Sequence, residues 1–241
     1  MNKKIILSLS VIGIVAAIAV GGTYAYFSDT ETSTGNTFTA GSINLNDGLS
    51  VTKFTLADLK PGDMGQGKYA ISATSNNYWA CMKSTIDTTP ENGVLEAETG
   101  DATTEVGELQ NYLNFFVWND RDGDGVYTGN GTNPGTSEIK DRNLVGPIKL
   151  ADLPGLGPLP LEDSTDKSFF GPNPLVAGTT YNLGIAYCFG TFAIDLNTKK
   201  LTCSGVGDQN IAQSDGVTGS TIFYAVQSDN NLNFKCSEAT Y

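Results

Sequence analysis

Residues 21–45, GGTYAYFSDTETSTGNTFTAGSINL, join two regions of opposite character. Before them, Lys3 and Lys4 precede an apolar run over residues 5–20, interrupted by Ser8 and Ser10. A positive start, a short apolar stretch and a small residue at Ala25 follow the order of a secretory signal peptide. The Gly21-Gly22 break and the Thr23-Tyr24-Ala25 end predict cleavage after Ala25, leaving Tyr26 as the new N-terminus. The rival reading is an uncleaved anchor, because residues 5–27 are just long enough to span a bilayer. Downstream the pattern changes to alternation: Phe38 and Ala40, then Ile43 and Leu45, with the phase slipping at Gly41-Ser42. Alternation interrupted by glycine predicts a strand carrying a bulge.

The same two-residue rhythm continues through the chain. Phe54 and Leu56 lead into a Lys-Pro-Gly-Asp turn, and Tyr69, Ile71 and Ala73 alternate before an Asn76-Asn77 turn. YWACMKSTI then carries Trp79 and Cys81. LNFFVW, residues 113–118, is the most aromatic strand and is expected inside a sheet. YNLGIAYC follows in the last third, and STIFYAVQSDNN is apolar on both faces. The latter predicts a central strand, buried between its sheet and a covering loop. Residues 87–108 carry seven acids and read as a solvated loop, with a short helical turn before Leu109. Residues 145–174 hold six of the nine prolines, too many for a central sheet. They are expected to form a cover loop pinned by Phe169 and Phe170, with IKLADL as a short edge strand. The fold class is therefore all-β: an antiparallel β-sandwich with long loop insertions after a signal peptide.

The run GTYA, then YFSDTETSTGNTFTAGSINL, then FTLADLKPGD at residues 54–63, resembles the TasA/camelysin family. These are secreted bacterial biofilm-fibre proteins processed by a W-type signal peptidase, with relatives among archaeal bundling pili. The resemblance implies a jelly-roll sandwich. It also implies polymerisation, in which the mature N-terminal segment inserts as a strand into a neighbouring copy. On that plan residues 1–25 are the signal, 26–45 the donor segment and 46–241 the sandwich, with Phe27, Phe38, Ala40, Ile43 and Leu45 as plugs. The partner is then the protein itself, head to tail, and the membrane is met only before signal cleavage. The competing arrangement keeps the segment as the sandwich's own first strand. The camelysin side of the resemblance carries a metallo-endopeptidase label.

Composition narrows the chemistry. A formal charge of −12 repels phosphate backbones, which argues against nucleic acid and favours divalent cations. The 241 residues contain no histidine, which removes Ser-His-Asp triads and HExxH zinc sites and leaves no catalytic residue to name. Catalytic zinc held by carboxylates or cysteines alone would be an unusual set. Cys81, Cys188, Cys203 and Cys236, an even count with no CxxC in an exported chain, read as two disulfides with three possible pairings. The intervening FGTFAIDLNTKKLT resembles a hairpin and favours Cys188–Cys203, leaving Cys81–Cys236. Finally, NDRDGDGVY sets Asp120, Asp122 and Asp124 at alternate positions before Gly125, the first half of a calcium loop. Gly131 stands where the twelfth-position acid belongs, so Glu138 and the Val126 carbonyl are the candidates to complete a Ca2+ site. The competing reading is a metal-free Asp-Gly turn. The resemblance implies a secreted fibre or matrix subunit, and a calcium-dependent adhesion or surface-layer module is the alternative.

Overall fold

Two sheets close on one core. In the first, β1 (Gly41–Asn44), β3 (Met64–Ser72), β8 (Tyr181–Phe189), β5 (Leu113–Asn119) and β6 (Arg142–Lys149) run in the order β1-β3-β8-β5-β6. In the second, β2 (Leu49–Ala57), β11 (Gly216–Gln227), β4 (Tyr78–Thr88) and β7 (Leu159–Glu162) run in the order β2-β11-β4-β7. A hairpin of β9 (Thr191–Ile194) and β10 (Leu201–Ser204) stands apart. This computed structural model describes residues 41–45, 49–93, 98, 106–129, 142–165, 169–171, 173–195, 198, 200–205, 207, 209–229 and 231–239. The signal segment 1–25, the Ala25–Tyr26 cleavage site, Phe27, Phe38, Ala40 and Glu138 lie outside the described residues.

Alternation decides which side chains meet between the sheets. Phe54 and Leu56, Tyr69 and Ile71, Ala80 and Met82, Phe115 and Val117, Leu183 and Ile185, and Phe223 and Ala225 all join one buried cluster. Phe54 meets Phe115 at 5.8 Å between ring centroids, and Tyr69 meets Phe223 at 5.4 Å, so aromatic pairs bridge the layers. The expected turn forms too: the Asp63 amide donates to the Lys60 carbonyl at 2.8 Å, with Gly62 at φ +97° where only glycine is comfortable.

On the central strands the alternate residues point outward and are covered as well. On the five-stranded sheet Phe116, Trp118, Ala186 and Cys188 pack beneath Tyr127, Phe192 and Leu201, a second buried cluster under the hairpin. Trp118 lies across Gly184, where a Cβ would fall 2.0 Å from the indole. On the four-stranded sheet Tyr224 stacks on Phe234 at 5.9 Å and the Trp79 indole donates to the Asn231 carbonyl at 2.8 Å. One disulfide fastens each cover: Cys188–Cys203 on the first face, Cys81–Cys236 on the second. Both expected pairings are present. The hairpin is also as expected, with Phe192 opposite Cys203 and Ile194 opposite Leu201. Its disulfide, however, ties the return arm to β8 rather than one arm to the other.

Four expectations are corrected. β1 pairs parallel with β3, while every other described ladder is antiparallel, and the register over Gly41–Asn44 is one-to-one without a bulge. β11 is central, but residues near Phe234 cover it instead of the Pro-rich excursion. That excursion supplies edge strands to both sheets, β6 and β7, where a missing amide donor is tolerated. IKLADL is divided, since Leu150–Leu156 form a 3-10 turn containing Pro154. Phe169 and Phe170 are buried in the main core as expected. Last, the acidic loop is not a merely solvated run: Glu98 is 1% exposed and accepts hydrogen bonds from the Ser214 amide (2.8 Å) and hydroxyl (2.6 Å). The helical turn falls at Leu109–Tyr112.

Candidate metal sites

The end of β5 delivers Asp120 into a turn that organises itself around that carboxylate. Asp120 is buried, and its amide donates to the Asn182 carbonyl on β8 at 3.0 Å. Its two oxygens accept from Gly123 N–H at 3.1 Å and Gly125 N–H at 3.0 Å. Both glycines have positive φ, +74° and +77°, so side chains there would strain the turn. Asp124 accepts from the Val126 amide at 2.7 Å, and Asp122 from the Asp124 amide at 3.4 Å. One oxygen from each of Asp120, Asp122 and Asp124 lies within 4.8 Å of the others. Oxygens sharing a calcium at about 2.3–2.6 Å can be no farther apart than about 5 Å, so the set fits one ion.

The turn rests on the outer face of β3. The Tyr127 amide donates to Gln66 Oε1 at 3.0 Å, and the Lys68 ammonium donates to the Gly123 carbonyl. Lys68 thus brings a positive charge to the acidic turn, which the spacing of the three aspartates did not reveal. Tyr127 then enters the second buried cluster, 4.9 Å from Phe116 and 5.6 Å from Trp118. Val126 is exposed beside it.

A second acidic group has no counterpart in the sequence reading. Glu91 follows β4, Glu108 precedes the helical turn, and Asp215 precedes β11, yet one oxygen of each lies within 4.8 Å of the others. Asp215 is fully buried, and its Oδ2 accepts the Glu108 amide. Its Oδ1 is buried with no hydrogen-bond partner, as is Glu91 Oε2. Burial raises the Asp215 carboxyl from its ordinary value to about 7; the proton it could share with Glu91 once protonated and the charges of Glu91 and Glu108 push the same way, against the lowering by the Glu108 amide. The surrounding backbone is well held. Gly216 N–H donates to Pro90 O at 2.9 Å, Gly107 N–H to Thr89 O at 3.0 Å, and Asn92 Nδ2 to Ser214 O at 3.0 Å.

Both groups are all-carboxylate. Hard cations such as calcium, magnesium or manganese suit such donors, whereas catalytic zinc favours histidine or thiolate. The four cysteines are consumed by the disulfides.

The N-terminal strand residues occupy the chain's own sheet. β1 pairs Ile43 with Ile71, and Leu45 is buried in the main core with its amide donating to Ser72 O at 2.9 Å. Leu45 also lines a groove with Ala73, Tyr78 and Ala225 at the mouth between the sheets. No helix among the described residues is long and apolar enough to cross a membrane. The two disulfides fit an oxidising, extracellular setting.

No curated protein matches the chain. The family model described as camelysin metallo-endopeptidase matches residues 1–231. That match spans nearly the whole sequence, from the apolar N-terminal run to the cover of the four-stranded sheet, and the chain belongs to the camelysin metallo-endopeptidase family.

Proposed function

We propose that the protein is a secreted structural subunit that polymerises by donating residues 26–45 as a strand to the next copy. Residues 1–25 are the removable export signal, and residues 46–241 are the sandwich that accepts. The observation that carries this reading is the edge of the five-stranded sheet. β1 covers only Tyr69–Ser72 of the nine-residue β3, and among the described strands none pairs with Met64–Lys68 on that side. An uncovered edge offers backbone donors and acceptors to an arriving strand, and pockets for alternate side chains fix its register. With the donor's residues 41–44 in the place that β1 holds against Tyr69–Ser72, the same register continued upstream would set its residues 36–40, Phe38 and Ala40 among them, beside Met64–Lys68. Gly65 and Gly67 carry no side chains there, and a Cβ on Gly67 would meet nothing within 4 Å. A head-to-tail contact of this kind does not close on itself, so it yields a filament.

Calcium at Asp120, Asp122 and Asp124, with Glu138 and the Val126 carbonyl as further ligands, would stiffen the turn lying on Gln66 and Lys68. The acceptor edge would then be firmer with calcium than without it. The family's name favours a second reading, an endopeptidase. The described donor sets do not fit catalytic zinc, and no step of peptide cleavage follows from them.

Electron microscopy of the secreted protein tests the proposal. The parent should form filaments, and a chain lacking residues 26–37 should stay a folded monomer. A truncated chain that polymerises as well as the parent would overturn the donor role. A parent that remains monomeric under all salt and pH conditions would favour the calcium-dependent surface module instead.

A further inference from the structure

Three loops distant in sequence meet where β11 begins, and the way they meet is costly unless something joins them. Asp215 is fully buried, and Asp215 Oδ1 and Glu91 Oε2 both sit out of water with no hydrogen-bond donor. An oxygen of Glu108 completes a triangle with sides within 4.8 Å. A buried carboxylate oxygen without a donor is disfavoured, and three carboxylates this close repel one another. The backbone nevertheless holds the triangle in place: Gly107 presses so closely that a Cβ would lie 2.8 Å from Asp215 Cγ and 3.0 Å from its Oδ1. Glu98 and Asn92 meanwhile fix the neighbouring Ser214 from two sides.

We propose that Glu91, Glu108 and Asp215 bind one calcium-like divalent cation, which fastens the loop following β4 to the start of β11. The orphan oxygens are the unmet ligand positions, and the spacing is that of oxygens around a single hard cation. Water would fill the remaining positions. The ion would be structural: it replaces the missing donors and neutralises charge in a place reached by three separate segments. It is independent of the Asp120 turn, which lies on the other sheet. The competing account is a proton shared between Glu91 and Asp215.

Calcium binding to the intact protein distinguishes the two. In an Asp122→Ala, Asp124→Ala background, equilibrium dialysis should still find about one calcium per chain, and the melting temperature should rise with calcium over chelator. Adding Asp215→Asn, or Glu91→Gln should the first variant fail to fold, should abolish both. A background protein that binds no calcium would overturn the proposal and leave the shared proton. Binding that survives both substitutions would overturn it as well, placing the ion elsewhere.

Discussion

The two outer faces of the sandwich are closed by covers of very different reach. On the five-stranded sheet the hairpin β9–β10 follows directly from β8 and is clipped back by Cys188–Cys203, 15 residues apart. On the four-stranded sheet the cover comes from the C-terminal segment, clipped by Cys81–Cys236 across 155 residues. The acidic groups repeat the contrast. Asp120, Asp122 and Asp124 belong to one turn whose own amides receive them, while Glu91, Glu108 and Asp215 arrive from three loops. A short-range fastener shapes a local turn. A long-range one staples together segments that would otherwise be far apart in the unfolded chain, so more of its effect lies in restricting that chain.

The largest expected effect tests this distinction directly. Replacing Cys81 and Cys236 by serine should cost about 5 kcal/mol, and replacing Cys188 and Cys203 about 3 kcal/mol, on the chain-entropy account. Urea unfolding of the two double variants measures the difference. Equal losses, or a greater loss at Cys188–Cys203, would mean that packing in the second cluster outweighs reach.

Legibility followed the same division. The hairpin could be read because Phe192, Ile194, Leu201 and Cys203 lie within a dozen positions and keep a two-residue period. The Asp120 turn could be read because three aspartates and Gly125 sit in one short motif. The central place of β11 was visible in apolar residues on both faces. Its cover was not, since nothing near Tyr224 in sequence says that Phe234 will return over it. The parallel pairing of β1 depends on which edge of β3 is open, a property of the assembled sheet. Glu91, Glu108 and Asp215 were hidden most deeply. Two of them fall in a run whose charge density reads as solvated, and the third stands 107 residues beyond Glu108.

A smaller effect separates the two acidic groups by pH. Burial raises the folded-state value of Asp215 to about 7 from 3.8, so the folded protein holds this proton more tightly than the unfolded one. The associated stability is fully present below about pH 4 and is lost as pH rises through about 7. Other carboxylates titrate in the same range, so the informative quantity is the stability of the parent minus that of Asp215→Asn, both in chelator. That difference should fall between pH 4 and pH 8 by about 2 kcal/mol, less than the full shift would give because water reaches the half-buried Glu91 and Glu108. Saturating calcium should flatten it. A flat difference in chelator would show that Asp215 keeps its charge without help.

The smallest effect asks whether the two covers are independent. Tyr224 and Phe234 stack at 5.9 Å with 28° between their planes, and a pair of this kind is worth about 0.5–1.5 kcal/mol beyond the area it buries. Phe234→Leu keeps an apolar side chain and loses the ring, so a destabilisation of about 1 kcal/mol is expected in urea unfolding. Its local signature should be sharper than its global one. The C-terminal cover is also held by the Trp79 indole on the Asn231 carbonyl and by the Phe234 amide on that same carbonyl at 3.0 Å. Hydrogen exchange at the Phe234 amide should therefore quicken, because that bond opens with the segment and not with the whole sheet. Amides in β9 and β10, on the opposite face and behind a separate disulfide, should keep their protection. If those amides quicken equally, the covers open together, and the 155-residue clasp is part of one cooperative unit with the 15-residue one.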